Sequence, residues 1–173
     1  MPKGTVIIDA LAENTIYDCC EEDVDYLVAK GGEGGAGLER LGAVAFTLQH
    51  EGQQKGYVAL GQTPTIAYMN DLWEYNPATQ AWSQKANFTG APRKEAVSFV
   101  VGQTAYVGTG AALSGLKNDF YAYDPNTNSW TQVADFAGTP RQAAVAFSMA
   151  EYGFVGTGDD GTLRQDFWMY EPV

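Results

Sequence analysis

The chain has 173 residues, of which 45% are hydrophobic, and this length and composition fit one ordinary domain with its own core. It is rich in glycine, with 20 residues, and in tyrosine and phenylalanine, which favours short strands joined by tight turns over helices. The net charge of −11 disfavours nucleic acid as a partner, because an acidic surface repels phosphate. No apolar run approaches the roughly 18 residues of a membrane helix, so no membrane span is predicted.

The first 37 residues carry a weaker pattern than the rest of the chain. Their apolar run at 6–8 is too short for the hydrophobic region of a secretory signal. Cys19 and Cys20 are adjacent, and neighbouring cysteines rarely bridge each other because the resulting ring is strained. Two such thiols could serve a soft metal or redox chemistry, but no CxxC spacing accompanies them. Half-buried strand positions are therefore the favoured interpretation.

Residues 38–173 contain a repeat of about 48 residues, and a repeat of this period defines the architecture as a whole. The first segment, Ala-Val-Ala/Ser-Phe, occurs at 43–46, 96–99 and 144–147. The second segment ends in Gly61, Gly110 and Gly158. The third segment, which places an aspartate before aromatic residues and a proline, occurs at 70–77, 118–125 and 165–172. The fourth segment begins at Trp82 and Trp130.

Each of the first two repeats contains four strand candidates, and the third repeat contains the first three of them. The third candidate alternates between two faces, with Leu72 and Glu74 on one and Trp73 and Tyr75 on the other. The Pro-x-Thr-x-x-Trp stretches that follow are turn signals, so the third and fourth strands form a hairpin. The glycines that end the second strands mark a sharp turn or a close backbone approach, and we expect Gly110 and Gly158 to reject a Cβ. Four antiparallel strands in this length are the signature of a β-propeller blade.

The turn sequence carries a resemblance to a known family, the kelch repeat. That repeat has an arginine near its first strand, a glycine-rich second strand and then Tyr-Asp-Pro-x-Thr-x-x-Trp. Residues 123–130 match this motif closely, and residues 75–82 match it nearly as well. The double glycine of the family is replaced by Leu-Gly or Thr-Gly at 60–61, 109–110 and 157–158, which resembles the bacterial galactose-oxidase-like kelch proteins. The resemblance implies an all-β fold of kelch-type β-propeller blades, each a four-stranded antiparallel sheet.

The repeat predicts blades at 38–89, 90–138 and 139–173, the last without its fourth strand. Residues 1–37 are then a degenerate partial blade or a closing strand. The chain thus holds an incomplete ring, since propellers close with four to eight blades. We predict that segment 25–30 pairs with the strand at 166–172, within one ring or across a dimer. The alternative is that this segment stays in its own N-terminal partial blade and that further blades lie beyond Val173.

The recurring charged residues are one arginine and one aspartate per repeat, at Arg40, Arg93 and Arg141 and at Asp71, Asp119 and Asp166. An arginine can clamp a carboxylate with two hydrogen bonds. A residue needed once for chemistry need not appear three times, whereas one that holds each blade to its neighbour must. We therefore interpret this set as structural ion pairs or turn hydrogen bonds, and the recurring Trp82, Trp130 and tyrosines as packing between blades.

The candidate binding site lies on the loops between the second and third strands, at 62–69, 111–117 and 159–164. These loops differ between repeats although their frames agree, and such loops carry specificity on a repeated scaffold. The side chains able to grip a polar ligand there are Tyr68, Lys117, Asp159, Asp160 and Arg164. Asp159 and Asp160 are too few carboxylates to argue for a calcium site, so no metal is predicted.

The sequence contains no GxSxG, HExxH or Walker motif. Galactose oxidase, which gives its name to the related kelch proteins, binds copper through two tyrosines and two histidines; this chain has a single histidine, so no cofactor is expected. The resemblance implies a non-catalytic kelch propeller that binds or scaffolds a protein or glycan ligand on a loop face. The alternative is a carbohydrate-active enzyme similar to sugar isomerases. The family also implies an exported or cell-envelope location.

Overall fold

The computed structural model describes residues 39–172, which form an all-β structure, as the sequence predicts. The strands are β1 (Val44–His50), β2 (Gln53–Ala59), β3 (Leu72–Asn76), β4 (Ala81–Lys85), β5 (Arg93–Lys94), β6 (Val97–Val101), β7 (Thr104–Gly108), β8 (Ala111–Ala112), β9 (Gly115–Leu116), β10 (Phe120–Asp124), β11 (Ser129–Val133), β12 (Val145–Met149), β13 (Tyr152–Gly156) and β14 (Phe167–Tyr170). Among these residues there is no helix that could cross a membrane.

Three antiparallel sheets repeat one plan, in which each main strand pairs with the next along the chain. Sheet I has the order β1-β2-β3-β4, sheet II the order β6-β7-β10-β11, and sheet III the order β12-β13-β14. A fourth, smaller sheet joins β5, β8 and β9. Tight hairpins connect most neighbours, as expected from turn-rich sequence between short strands. The predicted partial blade at 1–37, its closing segment 25–30 and the two cysteines lie outside the described residues.

The three large sheets pack in series, each on the next. We call the front face of a sheet the face that carries Phe46 in sheet I, Phe99 in sheet II and Phe147 in sheet III; the opposite face is the back face. The front face of sheet I packs on the back face of sheet II, where Tyr57 meets Tyr123 with ring centroids 5.9 Å apart. The front face of sheet II packs in the same way on the back face of sheet III. This series without a closed barrel is compatible with an incomplete β-propeller.

The same aromatic pair stands on all three front faces. Its members are Phe46 and Tyr57, Phe99 and Tyr106, and Phe147 and Phe154, with ring centroids 5.3, 5.1 and 5.1 Å apart and the rings nearly parallel. In each case the two residues are direct partners in the register of the first and second strands. The hairpin register therefore fixes this stack, because residues opposite each other on adjacent strands have neighbouring side chains.

The glycines at the ends of the second strands have the special geometry that the sequence predicts. Gly110 has φ +94°, and a Cβ there would lie 2.7 Å from the Lys94 carbonyl oxygen. Gly158 has φ +93°, with the same distance to the Gln142 carbonyl oxygen. Both the backbone conformation and the close contact exclude a side chain, so the prediction that these glycines reject a Cβ is confirmed.

Candidate functional site

An arginine binds an aspartate with two hydrogen bonds at the same end of the strands in each large sheet. We call this end of the sheets the rim; it includes the loops 62–69, 111–117 and 159–164. The nitrogen–oxygen distances are 2.6 and 2.8 Å for Arg40 and Asp71, 2.5 and 3.0 Å for Arg93 and Asp119, and 2.5 and 2.9 Å for Arg141 and Asp166. Each carboxylate also accepts a hydrogen bond from the aromatic residue two positions later, Trp73, Tyr121 or Trp168. The interpretation of these residues as structural ion pairs is confirmed.

The arginine also holds the turn at the end of the second strand. Arg93 Nη1 donates to the carbonyl of Thr109 at 3.1 Å, and Thr109 has φ +57°. Arg141 makes the same bond to Thr157 at 2.9 Å, again at φ +57°. A threonine at positive φ is strained, so the charged donor stabilises a backbone shape that the residue alone disfavours. The arginine thus links the aspartate of the repeat to the turn just before the glycine that ends the second strand.

The contact with the neighbouring sheet is made by the arginine rather than by the ion pair. Each pair closes within one repeat, whereas the guanidinium of Arg93 stacks over Phe88 at 5.1 Å and that of Arg141 over Phe136 at 4.8 Å. Both phenylalanines follow the last strand of the preceding sheet. The stacking adds a cation–π attraction between consecutive sheets.

The repeated tryptophan has different neighbours in sheets I and II. Trp130 donates through Nε1 to the carbonyl of Ala86 at 2.9 Å, so it joins sheet II to the segment after sheet I, which confirms its predicted role between units. Trp82 contacts Tyr75 of its own sheet, with ring centroids 5.1 Å apart.

The aspartates of the ion pairs have pKa values below their usual range. Burial raises the pKa of Asp119, but the hydrogen bond and charge of Arg93 lower it more, so the pKa lies below its usual range. At Asp71 burial likewise raises the pKa, but the hydrogen bonds from Arg40 and Trp73 lower it more, so the pKa lies below its usual range. For Asp166 the hydrogen bond from Arg141 is the largest cause, and it also lowers the pKa. These carboxylates therefore remain ionised near neutral pH and hold the turn instead of transferring protons.

The three rim loops share one backbone frame. The amides of Met69, Lys117 and Arg164 donate to the carbonyls of Gly61, Gly110 and Gly158, each at 2.9 Å. Short pairings close each loop: the strands β8 and β9 in the middle repeat, and single bridges from Gln62 to Tyr68 and from Asp159 to Leu163 in the other two. The loops therefore present different side chains from equivalent positions on the same edge of the molecule.

The predicted site residues all lie on these loops, but only three share a loop. Tyr68 is half-buried on the loop of sheet I, and Lys117 is half-buried on the loop of sheet II, where its carbonyl accepts the Arg141 amide at 3.1 Å. Asp159, Asp160 and Arg164 lie together on the loop of sheet III. These five residues are candidates for ligand contact by position.

Asp160 and Arg164 form an ion pair within their loop. Arg164 Nη2 lies 2.7 Å from Asp160 Oδ2, and the Thr139 hydroxyl donates to the same oxygen at 2.5 Å. These hydrogen bonds lower the pKa of the Asp160 carboxyl to about 2. Asp159 accepts the Gly161 amide at 2.8 Å, as a turn aspartate does. Among the described residues, no group of three or more histidine, cysteine or acidic side chains could hold a metal ion.

Each rim loop also carries an exposed aliphatic side chain that was not among the predicted site residues. Ile66, Leu113 and Leu163 are 68%, 85% and 84% exposed. They stand on equivalent loops at the rim, which makes them candidates for contact with a partner. The sequence held a signal for them, because each of these aliphatic residues stands beside a small serine or threonine in its loop.

A second group missed from the sequence is a buried charge network in sheet I. The Glu74 carboxylate accepts hydrogen bonds from the Tyr57 hydroxyl at 2.5 Å and from Lys55 at 3.3 Å, lies 3.1 Å from the Lys85 ammonium, and lies 3.3 Å from His50 Nδ1. Tyr57 and Lys55 are 1% and 3% exposed, so the centre of the network is buried, whereas the Lys85 side chain is partly exposed. Its charges are paired with one another, as buried charges must be.

No protein-family model matches the chain, and no curated protein matches it.

Proposed function

We propose that the chain is a non-catalytic binding module, built on kelch-type propeller blades, that takes a protein ligand on its rim loops. The observation that carries this proposal is the common frame of the three loops with their different side chains. Loops that vary on a rigid repeated frame are well suited to recognition, because the scaffold positions them without itself depending on their sequence.

A protein ligand suits the rim better than a glycan does. Ile66, Leu113 and Leu163 offer exposed aliphatic surface, which gains free energy against an apolar partner surface. A glycan presents mainly hydroxyl groups, to which aliphatic side chains offer no hydrogen bonds. Tyr68 and Lys117 lie on the same loops as Ile66 and Leu113 and would supply polar contacts beside them, in the usual arrangement of protein interfaces.

The placement of the charged groups supports binding over catalysis. The recurring arginines and aspartates hold turns, and the Glu74 network is buried and internally paired. On the rim, Asp160 and Arg164 neutralise each other. The polar groups best suited to acid–base chemistry thus have structural partners, and the accessible features of the rim favour surface contact.

The test compares the wild-type chain with a triple variant, Ile66→Ser, Leu113→Ser and Leu163→Ser, on a displayed protein library and a glycan array. We expect protein ligands whose affinity falls at least tenfold in the triple variant, the loss typical of removing central apolar contacts. The matched control is Gln103→Ser, which changes an exposed side chain in the turn between β6 and β7, at the end of sheet II opposite the rim, and should leave affinity unchanged.

Two results would redirect the proposal. Binding confined to the glycan array, and lost on changing Tyr68 or Lys117, would favour a glycan ligand. Turnover of a sugar in a parallel screen, abolished by Lys117→Ala or Arg164→Ala with the fold intact, would favour the carbohydrate-active enzyme.

A further inference from the structure

The series of sheets ends in two apolar faces that have no neighbouring sheet among the described residues. One is the front face of sheet III, where the exposed apolar side chains are Val145, Phe147, Met149, Phe167 and Met169. The other is the back face of sheet I, where a groove of about 430 Å³ is lined by Gly56, Val58, Tyr75 and Trp82 among others. Apolar patches of this kind on a folded chain mark contact surfaces.

The back face of sheet I repeats the chemistry of a face that is already buried in this molecule. Strand register aligns five positions of sheet I with five of sheet II: Gly56 with Ala105, Val58 with Val107, Trp73 with Tyr121, Tyr75 with Tyr123, and Trp82 with Trp130. In sheet II all five are buried, and all five belong to the core cluster shared with the front face of sheet I. In sheet I all five are half-buried. The back face of sheet I therefore has the composition of a docking face without a sheet docked on it.

The front face of sheet III likewise repeats the apolar residues of the front face of sheet II. Val145, Phe147 and Phe167 occupy the positions of Val97, Phe99 and Phe120 on sheet II, which are buried against sheet III. The stacked pair of Phe147 with Phe154 has the geometry of the buried pair on sheet II. One chain thus exposes both kinds of face that form its two internal interfaces, between sheets I and II and between sheets II and III.

A glycine on the back face shows how the two halves fit. Phe99 on the front of sheet II packs against Gly153 on the back of sheet III, and a Cβ on Gly153 would lie 2.2 Å from the Phe99 ring. Gly56 holds the same register position on sheet I, where its nearest neighbour to an added Cβ is Tyr75 at 3.8 Å. Gly56 therefore leaves room for an aromatic ring that the described part of the chain does not supply.

We propose that a second copy of this chain covers both faces, with the front face of sheet III of each copy packed on the back face of sheet I of the other. In this arrangement Phe147 of one copy packs over Gly56 of its partner, as Phe99 packs over Gly153 within one chain. The contact is front-to-back, so it either closes into a ring or continues as an open series.

The number of sheets points to two copies. The three large sheets of the described residues give six in a pair, which lies within the four to eight that close a propeller, whereas three copies give nine. The two faces carry no charged side chain at the matched positions, so burial is not opposed by local repulsion. The whole-chain charge of −11 does oppose approach, and we expect association to strengthen as salt screens it.

The test measures the mass of the full chain in solution, across concentration, by light scattering and sedimentation. We expect twice the mass of one chain for the wild type. Phe147→Asp on the front face and Gly56→Val on the back face should each weaken association at least about 30-fold, as loss of a central contact does. Met149→Lys is a milder second front-face variant, and Leu113→Asp on the rim is the control that should associate normally.

Mixing the two variants tests the front-to-back geometry. Phe147→Asp keeps an intact back face and Gly56→Val keeps an intact front face, so an equal mixture should form a one-to-one complex although neither variant associates alone. A wild type that stays single at every concentration overturns the proposal. So does a Gly56→Val variant that still pairs with itself, which would indicate front-to-front contact, or an open series of rising masses, which would exclude a closed pair.

Discussion

The front faces of sheets II and III carry the same aromatic stack in different surroundings. Phe99 and Tyr106 lie 5.1 Å apart and Phe147 and Phe154 lie 5.1 Å apart, with interplanar angles of 12° and 13°. Phe99 is 3% exposed, because sheet III covers it, whereas Phe147 is 47% exposed. The stack therefore forms within a single hairpin, and the neighbouring sheet adds burial without changing its geometry. Most of the stabilisation in such a series should come from contacts between sheets.

The largest expected effect separates these two stacks. Phe99→Ala should lower the free energy of unfolding by about 3–5 kcal/mol, since it removes a buried ring and leaves a cavity. Phe147→Ala should cost only about 1 kcal/mol at a concentration that keeps copies apart, because half of that ring is already in contact with water. Urea denaturation of both variants at low concentration measures the difference.

Equal losses for the two variants would contradict this account. They would mean that the hairpin stack itself, and not the covering sheet, supplies the stabilisation. A Phe147→Ala cost that grows with protein concentration would instead report a second surface covering that ring.

A smaller effect is expected at the glycines of the back faces. Gly153→Ala should cost about 1–3 kcal/mol, because the added carbon overlaps the Phe99 ring. Gly56→Ala should stay within about 0.5 kcal/mol of wild type in the separate chain, since its Cβ meets no atom closer than 3.8 Å. Thermal melting of the two variants compares a covered back face with a bare one. Similar melting temperatures would place Phe99 elsewhere than over Gly153.

The glycines at the rim should not distinguish the sheets. Gly110→Ala and Gly158→Ala should each destabilise by about 1 kcal/mol or more, because both have positive φ and nearly the same contact with a carbonyl oxygen of their own repeat. Urea denaturation should therefore give similar losses at the two positions, in contrast to Gly153 and Gly56. A loss at Gly110 alone would mean that the covering sheet contributes to this turn.

Much of the fold was predictable because its signals are local. The alternation in the third strands, the Pro-x-Thr-x-x-Trp turns and the glycines after the second strands predict the hairpins of all three sheets. The strands of two residues, β5 (Arg93–Lys94), β8 (Ala111–Ala112) and β9 (Gly115–Leu116), were not predicted, because two residues show no periodicity. The direction of stacking was also hidden, since both faces of sheet II are apolar and alternation does not tell which neighbour each face meets.

For the candidate site, the sequence predicts which loops carry it but not the side-chain contacts on those loops. The variable loops locate the rim and its five polar candidates, but whether Asp160 is available or paired with Arg164 depends on a side-chain contact that spacing alone does not specify. The Glu74 network combines side chains from separate strands of sheet I. Its signal was a departure from the repeat, since the positions equivalent to Glu74 are Ala122 and Met169. A search for what the repeats share overlooks such a residue.

The smallest expected effect concerns the ion pair between Asp160 and Arg164 on the rim loop of sheet III. The hydrogen bonds from Arg164 and Thr139 lower the pKa of the Asp160 carboxyl to about 2, below its ordinary value of 3.8. A carboxyl with a lowered folded-state pKa adds stability above the unfolded-state pKa, and that stability is lost as the pH falls through the folded-state pKa. The window is therefore about pH 4 to 2, and the effect on unfolding should be slight because Arg164 is exposed and water screens the pair. NMR titration of the Asp160 carboxyl should give a midpoint near 2, and Arg164→Gln should move it up toward the ordinary value. Thr139→Ala, which removes the other donor, should move it less because Arg164 is the larger cause. An unchanged midpoint in Arg164→Gln would show that the pair does not persist in solution, and Asp160 would then be free to contact a ligand.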